Sequence, residues 1–280
     1  MHRDPERTLG NIDNDSVAQR SSHRTVPAVP SHRSEFARLR IMKTIAVIPA
    51  RLASTRLPRK MLRDVMGKPL IGVVYEAVRL SALLSEVIIA TDSDEIMSAC
   101  RQHGWNARLT SSQHRSGTER VHEISNTESA DVYINVQGDE PLVRAEQIGR
   151  LLQVMENPAV QVGTLITPAA DIDIANPNAV KVVTDLKGRA LYFSRATIPF
   201  DRDNSNPRYF KHLGLYAYRK PALDKFVSLS ESFLEESERL EQLRFLENGI
   251  PIYVGETPYD SVGVDTEEDL RRVMEILKTR

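Results

Sequence analysis

Residues 43–60 read KTIAVIPARLASTRLPRK. Lys43–Pro49 is a short apolar run, rich in β-branched residues and closed by a proline, which is the pattern of a buried strand. Residues 50–60 are polar and basic, with Arg51, Arg56, Arg59 and Lys60 standing beside Ser54 and Thr55. Apolar residues then recur at helical spacing between Pro69 and Ser81, at Leu70, Val73, Val74, Ala77 and Val78. In an open parallel sheet, a loop between strand and helix lies at the carboxyl ends of the strands, where ligands bind. Four cations and two hydroxyls there suit a polyphosphate. The loop contains neither GxGxxG nor GxxxxGKS/T, so it is neither a dinucleotide fingerprint nor a P-loop. A solvated basic loop is the plainer alternative.

The same alternation continues outward. Glu86–Ala90 and Asp131–Val136 read as strands, and Asp94–His103, Gly117–Thr127 and Arg144–Met155 as helices. Strands separated by helices at this spacing predict a mostly parallel sheet covered on both faces. The second half predicts short strands at Val162–Thr167, Val180–Thr184, Ala190–Phe193 and His212–Tyr218, with DLKGRA (185–190) turning a hairpin through Gly188. One helix is expected over Phe233–Leu246, a strand over Pro251–Val254, and a final helix over Thr266–Lys278. Thr266 is its N-cap and Asp269 sits at capping-box spacing. The reading is one α/β domain over residues 42–280, with an inserted, more antiparallel lobe at about 160–220.

Composition narrows the function. The chain has 280 residues, 41% hydrophobic and 27% charged, enough for a substantial core. With 37 basic and 38 acidic residues the formal charge is -1, so no basic field argues for nucleic acid. The single cysteine, Cys100, excludes an internal disulfide and a thiolate-rich zinc site, and suits a reducing compartment. No apolar run approaches the roughly 18–20 residues of a membrane span. Residues 1–41 hold seven arginines, five acids and sparse apolar residues, with no apolar stretch of the length a secretory signal needs. They are expected to be a disordered N-terminal extension, and the location is expected to be cytoplasmic.

Two acids sit at informative turns. Asp139 lies in QGDEP after the third strand of the first half, and Asp265 in GVDT just ahead of the last helix. Magnesium uses one or two carboxylates and takes phosphate oxygens as further ligands, so the pair with the basic loop fits a metal–triphosphate site. Asp265 also fits a plain helix-start role, since the dipole favours acids there. His103, His114 and His122 show no metal-ligand spacing, and Cys100, Trp105 and Met155 read as packing residues.

The motifs IPARLASTRLPRKML, HRSGTERV, NVQGDEP, NPNAVKVV, ALYFSRATIPFDR, KHLGLYAYR, LEQLR and GVDTEEDL follow one another in this order. Together they closely resemble the 3-deoxy-manno-octulosonate (Kdo) cytidylyltransferases, from Lys43 to the C-terminus. The resemblance implies a Rossmann-like nucleotidyltransferase fold, with a smaller antiparallel lobe for sugar binding and dimerisation. It implies a homodimer, CTP, Mg²⁺, and transfer of CMP from CTP to the anomeric hydroxyl of Kdo, with release of pyrophosphate, for lipopolysaccharide biosynthesis. By resemblance, Arg51, Ser54 and Lys60 grip the triphosphate, with Pro49 and Ala50 beside the nucleotide through their backbone. Ser116, Gly117 and Arg120 meet the cytidine, and Gln137 touches the nucleotide. Asp139 and Asp265 correspond to the family's paired magnesium ligands, and with Arg51 and Lys60 to its catalytic set. Arg195, His212, Tyr216, Glu241 and Gln242 correspond to the Kdo-binding set. Arg195 and His212 would meet the sugar carboxylate, and Glu241 and Gln242 its hydroxyls. No side chain stands out as a general base. Each of these polar residues also has a plainer reading: a half-buried histidine, an ion-paired arginine, the solvated face of a helix.

One position departs from the family pattern. The loop usually reads RLPGK, and this chain has Arg59 where that glycine stands. Glycine permits backbone angles that arginine resists, so either Arg59 takes an ordinary conformation or the loop closes differently. Two alternatives to Kdo transfer remain: a cytidylyltransferase for another acidic sugar (8-amino-Kdo or a sialic acid), and a non-catalytic nucleotide-binding regulator.

Overall fold

A computed structural model describes residues 42–279; the segment 1–41, expected to be disordered, lies outside the described residues. The first half runs β1 (Thr44–Ala50), a small hairpin of β2 (Asp64–Val65) and β3 (Lys68–Pro69), α1 (Leu70–Arg79), β4 (Glu86–Thr91) and α2 (Asp94–His103). It continues through β5 (Ala107–Leu109), α3 (Gly117–Thr127), β6 (Val132–Asn135) and α4 (Ala145–Val154). The second half holds β7 (Val162–Pro168), α5 (Asp171–Ile174), β8 (Lys181–Thr184), β9 (Ala190–Ser194), β10 (Phe210–Tyr218) and α6 (Lys220–Ser228). The chain closes with α7 (Phe233–Glu238), α8 (Leu243–Glu247), β11 (Ile252–Glu256) and α9 (Glu267–Lys278).

The main sheet has the order β11-β7-β10-β6-β1-β4-β5, with β8 and β9 attached to β10. Parallel pairs join β1 to β4 and β6, β4 to β5, and β7 to β11. β10 runs antiparallel to β6 and β7, and β8–β9 is an antiparallel hairpin. The sheet is therefore mostly parallel with a smaller antiparallel part, as the alternation predicts.

β1 shows why the centre is buried on both faces. Ala46, Ile48 and Ala50 point into a core shared with α1 and α4, while Ile45 and Val47 point into one shared with α3 and α6. That is the two-residue alternation of a strand with both faces covered. A third, smaller cluster packs Leu57, Val65 and Leu70 against Val264, Leu270 and Val273. Leu57 is fully buried in the middle of the basic loop. Burying one such leucine stabilises by about 1.5–3 kcal/mol. This contact brings the start of α9 against the β1 loop.

Three differences from the sequence reading have physical causes. The helix expected over Phe233–Leu246 breaks into α7 and α8 at Arg239, whose φ of 53 is left-handed. Glu235 and Arg244 lie nine residues apart and bond at 2.7 and 2.6 Å. Nine residues are about two and a half helical turns, so on an unbroken helix the two side chains would point to opposite sides. α6 is unanticipated, although Ala222, Leu223 and Phe226 form its buried stripe and a proline stands in its first turn. Arg59 takes φ 55 and ψ 34, so the loop keeps the left-handed turn that glycine would provide. The last helix starts as expected, with Thr266 as N-cap and Asp269 closing the capping box.

Candidate active site

The site begins where β1 ends. Gly138 of QGDEP packs against this strand: a Cβ there would lie 2.9 Å from the Pro49 carbonyl oxygen. Only glycine allows that approach, and it sets Asp139 beside the basic loop. The Val264 amide donates to the Asp139 carbonyl at 2.9 Å, which brings Asp265 to the same place. The Lys60 ammonium donates to Asp139 Oδ2 at 2.5 Å and to Asp265 Oδ1 at 3.1 Å. Arg56 reaches Asp265 Oδ2 at 3.0 Å. Burial draws the Lys60 pKa down, but the two carboxylates outweigh it and the net shift is upward.

The four loop cations thus face different ways. Lys60 and Arg56 meet the acids, Arg59 ion-pairs with Glu95 on α2, and Arg51 donates to the His114 carbonyl at 2.6 Å. Arg51 and His114 line a cavity of about 540 Å³ with Asp92 and Ser93. Ser54 stays on the partly exposed side of the loop. Ser116 caps α3 by accepting from the Glu119 amide at 3.2 Å, and a Cβ on Gly117 would lie 3.3 Å from the Pro49 ring. The N-terminus of α3 therefore abuts the end of β1, an orientation that favours anions. Arg120 is fully buried and lines neither cavity. It donates to Asp92 at 2.5 Å and Thr110 at 2.6 Å, while its buried Nε has no hydrogen-bond partner.

A larger cavity of about 990 Å³ unites the rest: Gln137, Asp139 and Asp265 line it together with all five residues of the expected sugar set. Gln137 donates to the Gly214 carbonyl at 3.3 Å beside the register shift of β10 between Leu213 and Tyr216. Tyr216 and Gln242 each bury a polar atom with no hydrogen-bond partner, as does Asn135 on the same wall. Buried polar groups are rarely left unpaired, so three on one cavity wall mark it as built for a polar ligand. Glu241 accepts from Thr118 at 3.1 Å, and burial pushes its carboxyl up.

The Arg195 side chain bonds to backbone carbonyls, at 2.7 Å to Glu238 and 3.0 Å to Pro177, and none of these bonds cancels its charge. His212, expected to meet the sugar carboxylate, lines the same cavity. Burial pushes its pKa down to about 3, so the imidazole is neutral at physiological pH and offers at most one N–H. Nε2 lies 3.1 Å from Thr164 Oγ1, and the ring meets Phe193 edge-on. As pH falls from 6.5 toward 3 the unfolded chain protonates this histidine and the folded one does not. Its contribution to stability is therefore full above pH 6.5 and is lost progressively as pH falls from there toward 3. The imidazole ¹⁵N shifts are expected to show one neutral tautomer from pH 5 to 8; a titration in that window would overturn the assignment.

Glu140 is the wall residue that the sequence reading missed. It follows Asp139 directly, and burial, then the Asp139 charge, pushes its carboxyl up to about 7. A Cβ on Gly214 would meet its Oε1 at 3.1 Å, so glycine leaves room for it. Among the described residues, no group of three or more His, Cys, Asp or Glu side chains is placed to hold a metal alone.

Residues 45–254 match the family model described as cytidylyltransferase. Basic loop, paired acids and polar cavity on this sheet thus define a cytidylyltransferase. The 3-deoxy-manno-octulosonate cytidylyltransferase of Koribacter versatilis is 65% identical over 240 residues, 85% of this chain and 92% of that protein. Its counterpart in Acidobacterium capsulatum is 55% identical over 240 residues, 85% and 98% of the two chains. A solved structure of CMP:2-keto-3-deoxy-manno-octonic acid synthetase complexed with CTP is 42% identical, with a TM-score of 0.82, covering 85% of this chain and 99% of that one. The chain belongs to the 3-deoxy-manno-octulosonate cytidylyltransferase family.

Proposed function

We propose that this enzyme transfers CMP from CTP to the anomeric hydroxyl of Kdo, yielding CMP-Kdo for lipopolysaccharide biosynthesis and pyrophosphate. The observation that carries the reading is one cavity lined both by the Asp139–Asp265 pair and by the unpaired polar groups of Tyr216 and Gln242. Nucleotide chemistry and a polyhydroxylated acceptor then share a single space.

The donor set fits Mg²⁺. Two carboxylates already hold a cation, the Lys60 ammonium, and a hard cation here would complete its shell with phosphate oxygens. Asp139 and Asp265 would hold the ion, which when bound offsets phosphate charge and lowers the pKa of a hydroxyl that it contacts. Lys60 and Arg51 neutralise the triphosphate. Arg195, whose charge no carboxylate bond cancels, takes the sugar carboxylate, and neutral His212 adds one hydrogen bond. Glu241 accepts from a sugar hydroxyl, and the Tyr216 hydroxyl and Gln242 amide find in the sugar the partners they lack. These residues align the attacking hydroxyl with the α-phosphorus, which is the main task in phosphoryl transfer. Homodimerisation through the 160–220 segment is part of the same proposal. Leu191 and Phe200 there are 59% and 85% exposed, which suits a protein contact.

Pyrophosphate release is measured with Mg²⁺, CTP and, in parallel, Kdo, 8-amino-Kdo or N-acetylneuraminate. Release with Kdo is expected. Release only with another acid would keep the chemistry and move the substrate, and no release from protein that binds CTP would favour a regulator.

A further inference from the structure

Lys181 is a fully buried lysine whose ammonium bonds to no carboxylate. It opens β8 at the residue where the β8–β9 hairpin joins β10, paired with Ser194 on one side and Lys211 on the other. Its Nζ donates to the carbonyls of Asn176 at 2.7 Å, Ala179 at 2.6 Å and Arg195 at 2.8 Å. An ammonium has three N–H donors, so these three carbonyls use all of them. Burying such a group is costly unless every donor is met, and a buried methionine would fill similar space without that cost. The bonds therefore serve placement more than burial.

What they place is a cavity wall. Asn176, Ala179 and Arg195 all line the 990 Å³ cavity, and Lys181 stands behind them. The Arg195 side chain in turn donates to Pro177, inside the same loop, and to Glu238 at the end of α7. The Glu238 carboxylate accepts the Arg195 amide at 2.9 Å and the Ser194 hydroxyl at 2.6 Å. Among the described residues, Lys181 is the one side chain that binds the 176–179 loop and the Arg195 backbone at a single point, fixing the base from which the guanidinium projects.

We propose that Lys181 is a positioning residue for the acidic sugar: it holds Arg195 and the 176–179 loop in the geometry that receives the substrate carboxylate, without touching substrate. The inference rests on the reading of Arg195 as the carboxylate partner. A polar network tied to an arginine through backbone carbonyls acts on that arginine's substrate and not on the nucleotide loop, which belongs to β1 and α9.

The test is a double-mutant cycle read as separate KM values. Lys181→Met is expected to raise KM for Kdo about tenfold or more, with KM for CTP within about twofold of wild type. Arg195→Ala is expected to raise KM for Kdo, and in that background Lys181→Met should change it by less than about twofold, because the two act as one unit. If KM rises equally for both substrates, or the two effects multiply, Lys181 has only a structural role and the proposal fails. If Arg195→Ala alone leaves KM for Kdo unchanged, the carboxylate reading of Arg195 fails first and takes the proposal with it. Thermal melts establish folding of each variant. Should Lys181→Met not fold, Lys181→Gln, which keeps two donors on a shorter stem, goes through the same cycle with the same expected selectivity for Kdo.

Discussion

Asp139→Asn is expected to lower kcat for CMP transfer on the order of a thousandfold at saturating Mg²⁺, the scale of losing one preorganised charge in a phosphoryl-transfer site. The amide keeps the shape of the carboxylate, so the bond from the Val264 amide to the Asp139 carbonyl survives and Asp265 stays in place. What disappears is one of the two negative charges around Lys60, which then pairs with Asp265 alone. The proposed cation site loses half its protein charge, and Lys60 is freed to crowd the remaining acid. Manganese binding in the presence of CTP, followed by electron paramagnetic resonance, should weaken in parallel with turnover. Near-normal kcat in this variant, or unchanged manganese affinity with lost turnover, would overturn the assignment of Asp139 as a cation ligand.

The second large effect falls on stability. Arg244, the arginine of LEQLR, donates to both oxygens of Glu235 at 2.7 and 2.6 Å, with both side chains buried. Its guanidinium also lies 4.2 Å from the centre of the Phe226 ring. Arg244→Met is expected to cost about 3–5 kcal/mol, because it leaves the Glu235 charge buried without a partner. Adding Glu235→Gln should recover much of the loss by removing that charge. Urea unfolding of the two variants decides it; a cost under about 1 kcal/mol for the single change would show that water reaches the pair. The motif then has two roles in adjacent residues: Glu241 and Gln242 face the cavity, and Arg244 locks the break between α7 and α8 that lets them do so.

Much of this was readable in the sequence because it is local. The β-branched run of β1, the basic loop behind it, QGDEP and the capped start of α9 are patterns within a few residues, and each took its expected place. The ordered motifs also named Gln137, Asp139, Asp265 and the five residues of the sugar set that meet in the large cavity. What the sequence hid depends on burial and on distant partners. Nothing local says that Arg120 is spent on Asp92, that His212 is neutral, or that Lys181 serves three carbonyls. The break at Arg239 was invisible because the residues of 233–246 fit a helix, and only the Glu235–Arg244 pair requires the turn. Arg59 illustrates the reverse case: a residue that disfavours the left-handed turn adopts it because Leu57 and Lys60 are both anchored around it.

The anchoring of Leu57 against Val264, Leu270 and Val273 also orders events on the ribosome. Lys60 meets Asp265 across 205 residues of chain, and Asp265 is fixed only once α9 packs. The parallel strands β1, β4, β5 and β6 have all been made long before that helix leaves the exit tunnel. A nascent or prematurely ended chain that stops short of α9 therefore carries the basic loop and Asp139 but lacks the second acid and the helix that packs on Leu57. Such a fragment has one of the two acids of the proposed cation site, and Lys60 has only Asp139 to meet.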